Sequence, residues 1–130
     1  MKYFTRKEAE KAIPMLEKIF QAAEDIRDKA QAKTERIREL ERSSRLDVPA
    51  LAIEKSQLEF LSRCFQETLE GIEKLGGVLK GIDPGLVDFP CRWSGEEVYL
   101  CWRQGEKRID HYHGMEEGFA GRKPLPKNLA

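Results

Sequence analysis

The chain of 130 residues is long enough for one domain with a single hydrophobic core, and its 23 Lys and Arg residues balance 23 Asp and Glu residues. This balance argues against a nucleic-acid partner and against a polybasic membrane-binding segment, since both need clustered cations. No apolar run is long enough to span a bilayer, and the first ten residues carry charges where a secretory signal is apolar. We therefore expect a cytoplasmic protein with neither a nucleic-acid nor a membrane partner.

The first predicted helix begins at Thr5, which is spaced to form a capping box with Glu8. Apolar residues then recur at three- and four-residue spacing, as on a helix with one buried face, and this stripe thins after residue 26. Pro14 cannot donate a hydrogen bond to the carbonyl of Glu10. Because the apolar stripe continues through Pro14, we expect the helix to bend there and not to break.

The second predicted helix follows a short connector. Asp47 can cap its start, Pro49 suits its first turn, and Gly76 and Gly77 end it. Its apolar residues form a near-heptad seam of Leu51, Leu58, Leu61, Phe65, Leu69, Ile72 and Leu75. A short connector makes the two helices antiparallel, so residues 5–76 predict a long α-helical hairpin. Two helices alone bury little, and a second copy of the hairpin is one way to cover the remaining apolar rows.

The period of the apolar pattern changes in residues 77–122, where we expect a small β part. The predicted strands are 89–93, 98–102 and 109–112, with turns at Ser94-Gly95 and Gln104-Gly105. Pro90 predicts that the first of these strands lies at an edge of the sheet. The expected fold is α+β and a single domain, a long antiparallel α-helical hairpin followed by a three-stranded antiparallel β-meander. Residues 123–130 are expected to form a mobile tail.

Both faces of the middle strand are largely apolar. Its two sets of side chains are Val98, Leu100 and Trp102 on one face and Tyr99, Cys101 and Arg103 on the other. A small antiparallel sheet normally exposes one face to water, so the second face needs a cover. We expect Phe119 and its loop to cover part of this face, and a second subunit to cover the apolar stripe of the helices.

Several stretches resemble a prokaryotic family of uncharacterised proteins, domain of unknown function 2203. The stretches are YFTRKEAEKAIPML at the start and DPGLVDFP, VYLCWRQGE and GFAGRKPL in the second half. The resemblance covers essentially the whole chain and implies a helical hairpin followed by a small β part, with no established activity. The family pattern falls on Asp88, Phe89, Pro90, Leu100, Cys101, Trp102, Arg103, Gly105, Glu106, His113, Gly118, Phe119, Gly121 and Arg122. Tyr112 stands where the pattern has tryptophan, and His111 lies outside the pattern.

A metal site is one hypothesis for the β part. His111 and His113 are two residues apart, so on a strand they point the same way and can share one ion. Cys101 or Glu106 from the neighbouring strand can supply a third ligand. The chain has three cysteines without a CxxC pair, which argues against a standard structural zinc site and against a disulfide framework. We therefore expect no cofactor, with a divalent metal such as zinc as the alternative.

A charged cluster is the other candidate, formed by Asp88, Arg103, Glu106, His113 and Arg122. In one interpretation the two arginines hold a small anion, with His113 beside it as a proton donor or acceptor. In the other, the same residues form an internal ion-pair network that ties the glycine-rich loop to the sheet.

The functional prediction is a non-enzymatic, self-associating interaction module, a homodimer that pairs through its helical hairpins. The alternative is a protein that binds a small molecule, an anion or a metal through the charged cluster, with an enzyme as one version of it. Phosphate-cradle and nucleophile-elbow motifs are absent from the sequence, which argues against those two classes of enzyme.

Overall fold

The computed structural model describes residues 2–126, which form helices followed by an antiparallel sheet. The helices are α1 (Arg6–Glu10), α2 (Ile13–Arg42) and α3 (Val48–Lys74), and the strands are β1 (Val78–Ile82), β2 (Gly85–Trp93), β3 (Glu96–Arg103), β4 (His111–Gly114) and β5 (Lys123–Pro124). A short 3-10 turn, Phe119–Gly121, lies between β4 and β5. The α+β class is as the sequence predicts. Within residues 2–126, none of the helices combines the length and the apolar character that crossing a bilayer requires.

The described residues divide into two compact units. Residues 21–70 form the helical unit, and residues 2–20 together with 71–126 form the sheet unit. The expectation of a single domain is not tested by this division and stays a prediction.

The first helix starts as its sequence predicts. The Thr5 hydroxyl accepts a hydrogen bond from the backbone N–H of Glu8 at 3.1 Å, and the Glu8 carboxylate accepts one from the N–H of Thr5 at 3.0 Å. Ahead of Pro14 the helix is interrupted by a two-residue turn at Lys11 and Ala12, which separates α1 from α2. The interruption is larger than the simple bend that the sequence predicts, because proline cannot donate to the preceding turn and its ring also crowds it.

The helical unit contains an antiparallel pair of helices, α2 and α3, joined by residues 43–47. Asp47 caps α3 by accepting a hydrogen bond from the N–H of Ala50 at 3.0 Å. Lys33 of α2 pairs with Glu54 of α3 at 3.0 Å. Burial is thin in this unit: its buried apolar residues are Ala23, Ile37 and Leu40, all on α2.

The sheet has five strands in the order β1-β2-β3-β4-β5, with every neighbouring pair antiparallel. The expectation of three strands is therefore wrong. Strand β1 is not predicted because its surroundings are rich in glycine and proline, and β5 is not predicted because it has two residues, one of them Pro124. Hydrogen bonding from neighbouring chain segments holds β5 in place: the N–H of Leu125, next to it, donates to the carbonyl of Asp110 at 2.7 Å.

Strand β2 lies between β1 and β3 in the sheet order, yet the edge position predicted from Pro90 holds for the predicted residues 89–93, which have β3 as their only strand neighbour. Its first half pairs with β1 on one side and with β3 on the other. Pairing with β1 ends at Asp88, so Pro90 has no β1 residue opposite it that would need its missing N–H. The carbonyl of Pro90 instead accepts a hydrogen bond from the N–H of Phe4 at 2.7 Å.

The third predicted strand begins later than expected, at His111. Its first expected residue, Ile109, is buried, but its N–H donates to a carboxylate oxygen of Glu10 on α1 at 2.9 Å and not to a strand. The expected mobile tail is only partly within the structure. Residues 123–124 are strand β5, residues 127–130 lie outside the described residues, and the mobility of the tail stays a prediction.

The core of the sheet unit lies between one face of the sheet and the helical residues of the same unit, within 6–20 and 71–74. Its largest fully buried apolar side chains are Trp102, Phe20, Phe89, Leu16, Ile72, Leu100 and Ile109. The rings of Phe20 and Trp102 lie 5.9 Å apart, and those of Phe4 and Phe89 lie 5.1 Å apart, edge to face. Gly76, with φ +90°, ends α3, and a β-carbon there would lie 2.3 Å from the Phe4 ring. The segment after β4 lies over the other face of the sheet, where Phe119 lines a cavity together with Asp88 and Cys101.

Candidate functional site

Three potential metal ligands converge on one face of the sheet, opposite the face on which Trp102 packs against Phe20. Asp88 of β2 lies directly opposite Cys101 of β3, and His113 of β4 lies opposite Tyr99 of the same strand β3. The ligand atoms of Asp88, Cys101 and His113 all lie within 4.8 Å of one another. Each of the three residues is 1% exposed. We call this set the Asp–Cys–His cluster.

The hydrogen bonds of His113 fix which ring nitrogen carries a proton. Nδ1 lies 2.9 Å from the carbonyl oxygen of Gly114, which can only accept, so we assign the N–H to Nδ1. In the neutral ring Nε2 then carries a lone pair, and it lies 2.9 Å from Oδ2 of Asp88. Among residues 2–126 no aligned hydrogen bond reaches this Oδ2. Two acceptors this close need a cation with them, either a proton or a metal ion.

The environment of the cluster favours the uncharged forms of its acids. Burial raises the pKa of Asp88, while the nearby His113 and Lys80 partly oppose this rise. Burial also raises the pKa of the Cys101 thiol to about 12, and the neighbouring Asp88 carboxylate adds to the effect. Without a metal, Cys101 is therefore a thiol at neutral pH. This argues against a thiolate nucleophile paired with His113.

A cavity of about 310 Å³ opens over the cluster. The Asp–Cys–His cluster lines it together with Leu86 and Phe119, which are apolar, and Lys80 and Glu117, which are charged. These positions show what covers the second apolar face of the sheet. Phe119 and its loop lie over part of this face, as expected, and they leave a cavity beside the polar cluster.

Glu117 holds the loop that covers the cavity. Its Oε1 accepts a hydrogen bond from the N–H of Gly114 at 2.9 Å, and Lys123 of β5 pairs with the same atom at 3.5 Å. The backbone hydrogen bond and then the Lys123 charge lower the pKa of Glu117. A β-carbon at Gly121 would lie 2.6 Å from Oε2 of Glu117, so a side chain there would require this carboxylate to move. Glycine at this position of the GFAGR motif therefore leaves the Glu117 carboxylate in place.

The predicted charged cluster separates into two parts. Arg122 donates to both carboxylate oxygens of Glu106 at 3.0 Å and to the carbonyl of Cys101 at 3.3 Å, and its guanidinium lies over the Phe119 ring. Glu106 also accepts from the backbone N–H of Arg103 at 2.7 Å. Glu106 and Arg122 thus form the internal network that the sequence offered as one interpretation.

The other residues that the sequence predicted for the charged cluster or the metal site do not belong to the pair of Glu106 and Arg122. The side chain of Arg103 is exposed, and Asp88 and His113 belong to the Asp–Cys–His cluster. His111 is directly opposite Cys101, but its Nδ1 lies 3.9 Å from Oε2 of Glu106, outside the cluster. Of the predicted metal ligands Cys101, His111 and His113, the structure therefore groups the first and third, with Asp88 in the place of His111.

Sequence reasoning did not select Lys80, Leu86 or Glu117 as lining residues. Leu86 and Asp88 are two residues apart on β2, so their alternation indicates a shared face. Lys80 gave no such signal because β1 was not recognised. Glu117 lies in a loop, where no periodic pattern applies.

The fold and the site define an α+β protein with a buried Asp–Cys–His cluster beneath a cavity. A family model described as "Uncharacterized conserved protein (DUF2203)" matches residues 2–125, and the chain belongs to this family. The resemblance stated from the sequence is thereby confirmed. Neither a curated protein nor a solved structure matches the chain.

Proposed function

We propose that this protein binds one divalent metal ion of the zinc class at Asp88, Cys101 and His113. The observation that carries the proposal is the contact between Nε2 of His113 and Oδ2 of Asp88, two buried acceptors 2.9 Å apart. A cation bound by both atoms removes their repulsion. Cys101 adds a third ligand atom within 4.8 Å of the other two.

The chemistry of the three donors selects the class of ion. Thiolate sulfur, imidazole nitrogen and carboxylate oxygen are the ligands that Zn²⁺ takes, whereas Mg²⁺ and Ca²⁺ prefer oxygen alone. The hydrogen bond from Nδ1 of His113 to the Gly114 carbonyl is the outer contact that metal-binding histidines typically make. Three protein ligands leave the fourth position of a tetrahedral ion open, and the cavity lies beside them.

Cobalt binding tests the proposal, because Co²⁺ occupies zinc sites and reports its ligands by absorbance. We expect purified, metal-free protein to bind one Co²⁺ per chain and to show a near-ultraviolet sulfur-to-cobalt charge-transfer band. Cys101→Ser should abolish this band, since Cys101 is the proposed sulfur ligand. Cys91→Ser is the matched control: Cys91 is also a buried cysteine of the sheet, but it lies outside the cluster. Circular dichroism should verify that both variants are folded.

A second pair of variants separates the cluster from the set that the sequence predicted. Asp88→Asn should weaken cobalt binding strongly, and His111→Gln should leave it unchanged. Absence of the charge-transfer band in the unaltered protein would overturn the proposal, and so would a band that survives Cys101→Ser. Loss of binding in His111→Gln with retention in Asp88→Asn would favour the sequence-predicted ligands over the Asp–Cys–His cluster.

Self-association of the helical unit is a second candidate function, and one observation favours it. Ile53 and Phe60 of α3 are 56% and 58% exposed and lie seven residues apart, which puts them on one side of the helix. A second copy of the hairpin would cover this pair, because Leu58, Leu61 and Phe65 of the neighbouring apolar seam are only half-buried. In this proposal the protein is a non-enzymatic interaction module and a homodimer. The three free cysteines suit a cytoplasmic location.

Phe60→Asp is expected to convert such a dimer to a monomer, because it puts a charge into an apolar contact. Gln66→Asp is the matched control, since it adds the same charge on α3 at an exposed polar position on a different side of the helix. Sedimentation velocity over a range of concentrations measures the outcome. A monomeric unaltered protein, or a Phe60→Asp variant that remains dimeric, would contradict this candidate function.

A further inference from the structure

The cavity beside the proposed metal site is lined by an ammonium group that forms no ion pair with a carboxylate among residues 2–126. Lys80 of β1 lines the cavity, and its side chain is exposed to solvent. Its Nζ lies 5.0 Å from the centre of the Tyr99 ring, which is a cation–π contact and does not neutralise its charge. Within the described part of the chain, no ion pair joins Lys80 to a carboxylate. A cation at the mouth of a cavity attracts an anion that enters it, although solvent screens the attraction.

The charges around the cavity sum to one positive charge when the metal is bound. A divalent ion is neutralised by the carboxylate of Asp88 and the thiolate of Cys101, while His113 is a neutral ligand. The carboxylate of Glu117 is paired with Lys123 and with the N–H of Gly114. The charge of Lys80 therefore remains, and a molecule with one negative charge would balance it.

The apolar residues of the cavity lining indicate the chemistry of the uncharged part of that molecule. Leu86 and Phe119 give the cavity apolar walls, and Phe119 is 40% exposed, so it can cover a guest without closing the site. A volume of about 310 Å³ is at the lower end of the range for small-molecule sites. This size suits a small organic molecule better than a nucleotide or a folded partner.

We infer that the cavity binds a small monocarboxylate with an apolar chain, whose carboxylate occupies the open metal position near Lys80 and whose chain packs on Leu86 and Phe119. The inference rests on the proposed metal site. The inferred ligand class is what the metal site recognises. Binding breaks no covalent bond in the carboxylate or in the protein.

Titration of the cobalt-loaded protein with acetate, butyrate and hexanoate tests the inference. Each carboxylate should change the visible cobalt spectrum in a saturable way, because it enters the coordination shell. Affinity should rise about three- to fourfold for each methylene that becomes buried. Phe119→Ala should reduce this dependence of affinity on chain length. If Phe119 had only a structural role, the variant would instead weaken the binding of all three acids equally.

Lys80→Met tests the charge. It should weaken the binding of all three carboxylates about two- to fivefold while Co²⁺ still binds, because the charge of Lys80 is partly screened by solvent. Lys107→Met, at an exposed lysine outside the cavity, should leave carboxylate affinity unchanged. If Co²⁺ binds but no carboxylate changes its spectrum, the inference is wrong and the metal site stands. If inorganic phosphate binds as tightly as hexanoate, the organic ligand class is wrong. If Co²⁺ does not bind, both proposals fail.

Discussion

Trp102→Ala is expected to lower the free energy of unfolding by about 3–5 kcal/mol, the usual cost of removing a large buried aromatic side chain. Trp102 has no exposed surface and lies against Phe20 of α2. Its indole N–H also donates to the backbone carbonyl of Glu106 at 2.9 Å. The alanine variant therefore creates a cavity and leaves a carbonyl without its donor. Chemical denaturation followed by circular dichroism measures the change.

Trp102→Phe separates the two contributions. Phenylalanine keeps most of the apolar contact and loses the hydrogen bond, so a cost of about 1–3 kcal/mol is expected. Trp93→Ala, at a half-exposed tryptophan near the other end of the same hairpin, should cost less than Trp102→Ala. Equal costs for Trp102→Ala and Trp93→Ala would contradict the described core.

His113→Ala should have the second large effect, a loss of about 3–5 kcal/mol at pH 8 in protein kept free of metal by a chelator. Its removal leaves the carboxylate of Asp88 buried and without the ring nitrogen that lies 2.9 Å away. The groups that then face Asp88 are Lys80 from β1 and the Cys101 thiol from β3. Neither of them replaces the lost contact.

The loss caused by His113→Ala should be smaller at pH 5 than at pH 8. Burial raises the pKa of Asp88 above its ordinary value, so the folded state holds the proton more tightly than the unfolded state. The stability that this group contributes is complete below its unfolded pKa and is lost as the pH rises through its folded pKa. Removing His113, which opposes the rise, moves that loss to a higher pH and enlarges it.

Denaturation of the variant and of the unaltered protein at both pH values measures this difference. The control is Asp88→Asn combined with His113→Ala, which has no carboxylate at position 88 and should lose the extra sensitivity at pH 8. His111→Ala, at a half-exposed histidine on the same strand, should cost less. A cost for His113→Ala that is the same at pH 5 and pH 8 would contradict the described environment of Asp88.

The helix signals were readable from the sequence because each depends on residues close together in the chain. The Thr5 and Glu8 capping bonds span three residues, and so does the hydrogen bond that caps α3 at Asp47. Gly76 ends α3 through a left-handed backbone conformation that other residues rarely adopt. These local hydrogen bonds and torsions do not require knowledge of the rest of the fold.

The sheet was only partly readable, because strands are stabilised by segments that are distant in sequence. Strands β2, β3 and β4 carry alternating apolar residues and were recognised, with shifted bounds. Strand β1 forms from a glycine-containing segment because β2 lies beside it. Pro90 is tolerated in β2 because the β1 pairing ends before it, and only the register shows where that pairing ends.

The sequence by itself determined the family, the α+β class, the helical hairpin and the face on which Cys101 and His113 lie. Only the tertiary structure brought Asp88 to these two residues and put His111 beside Glu106. The physical reason is that a two-residue period fixes the face of each side chain but not its cross-strand neighbours. Those neighbours depend on strand register and on side-chain direction, and both are decided by contacts between distant parts of the chain.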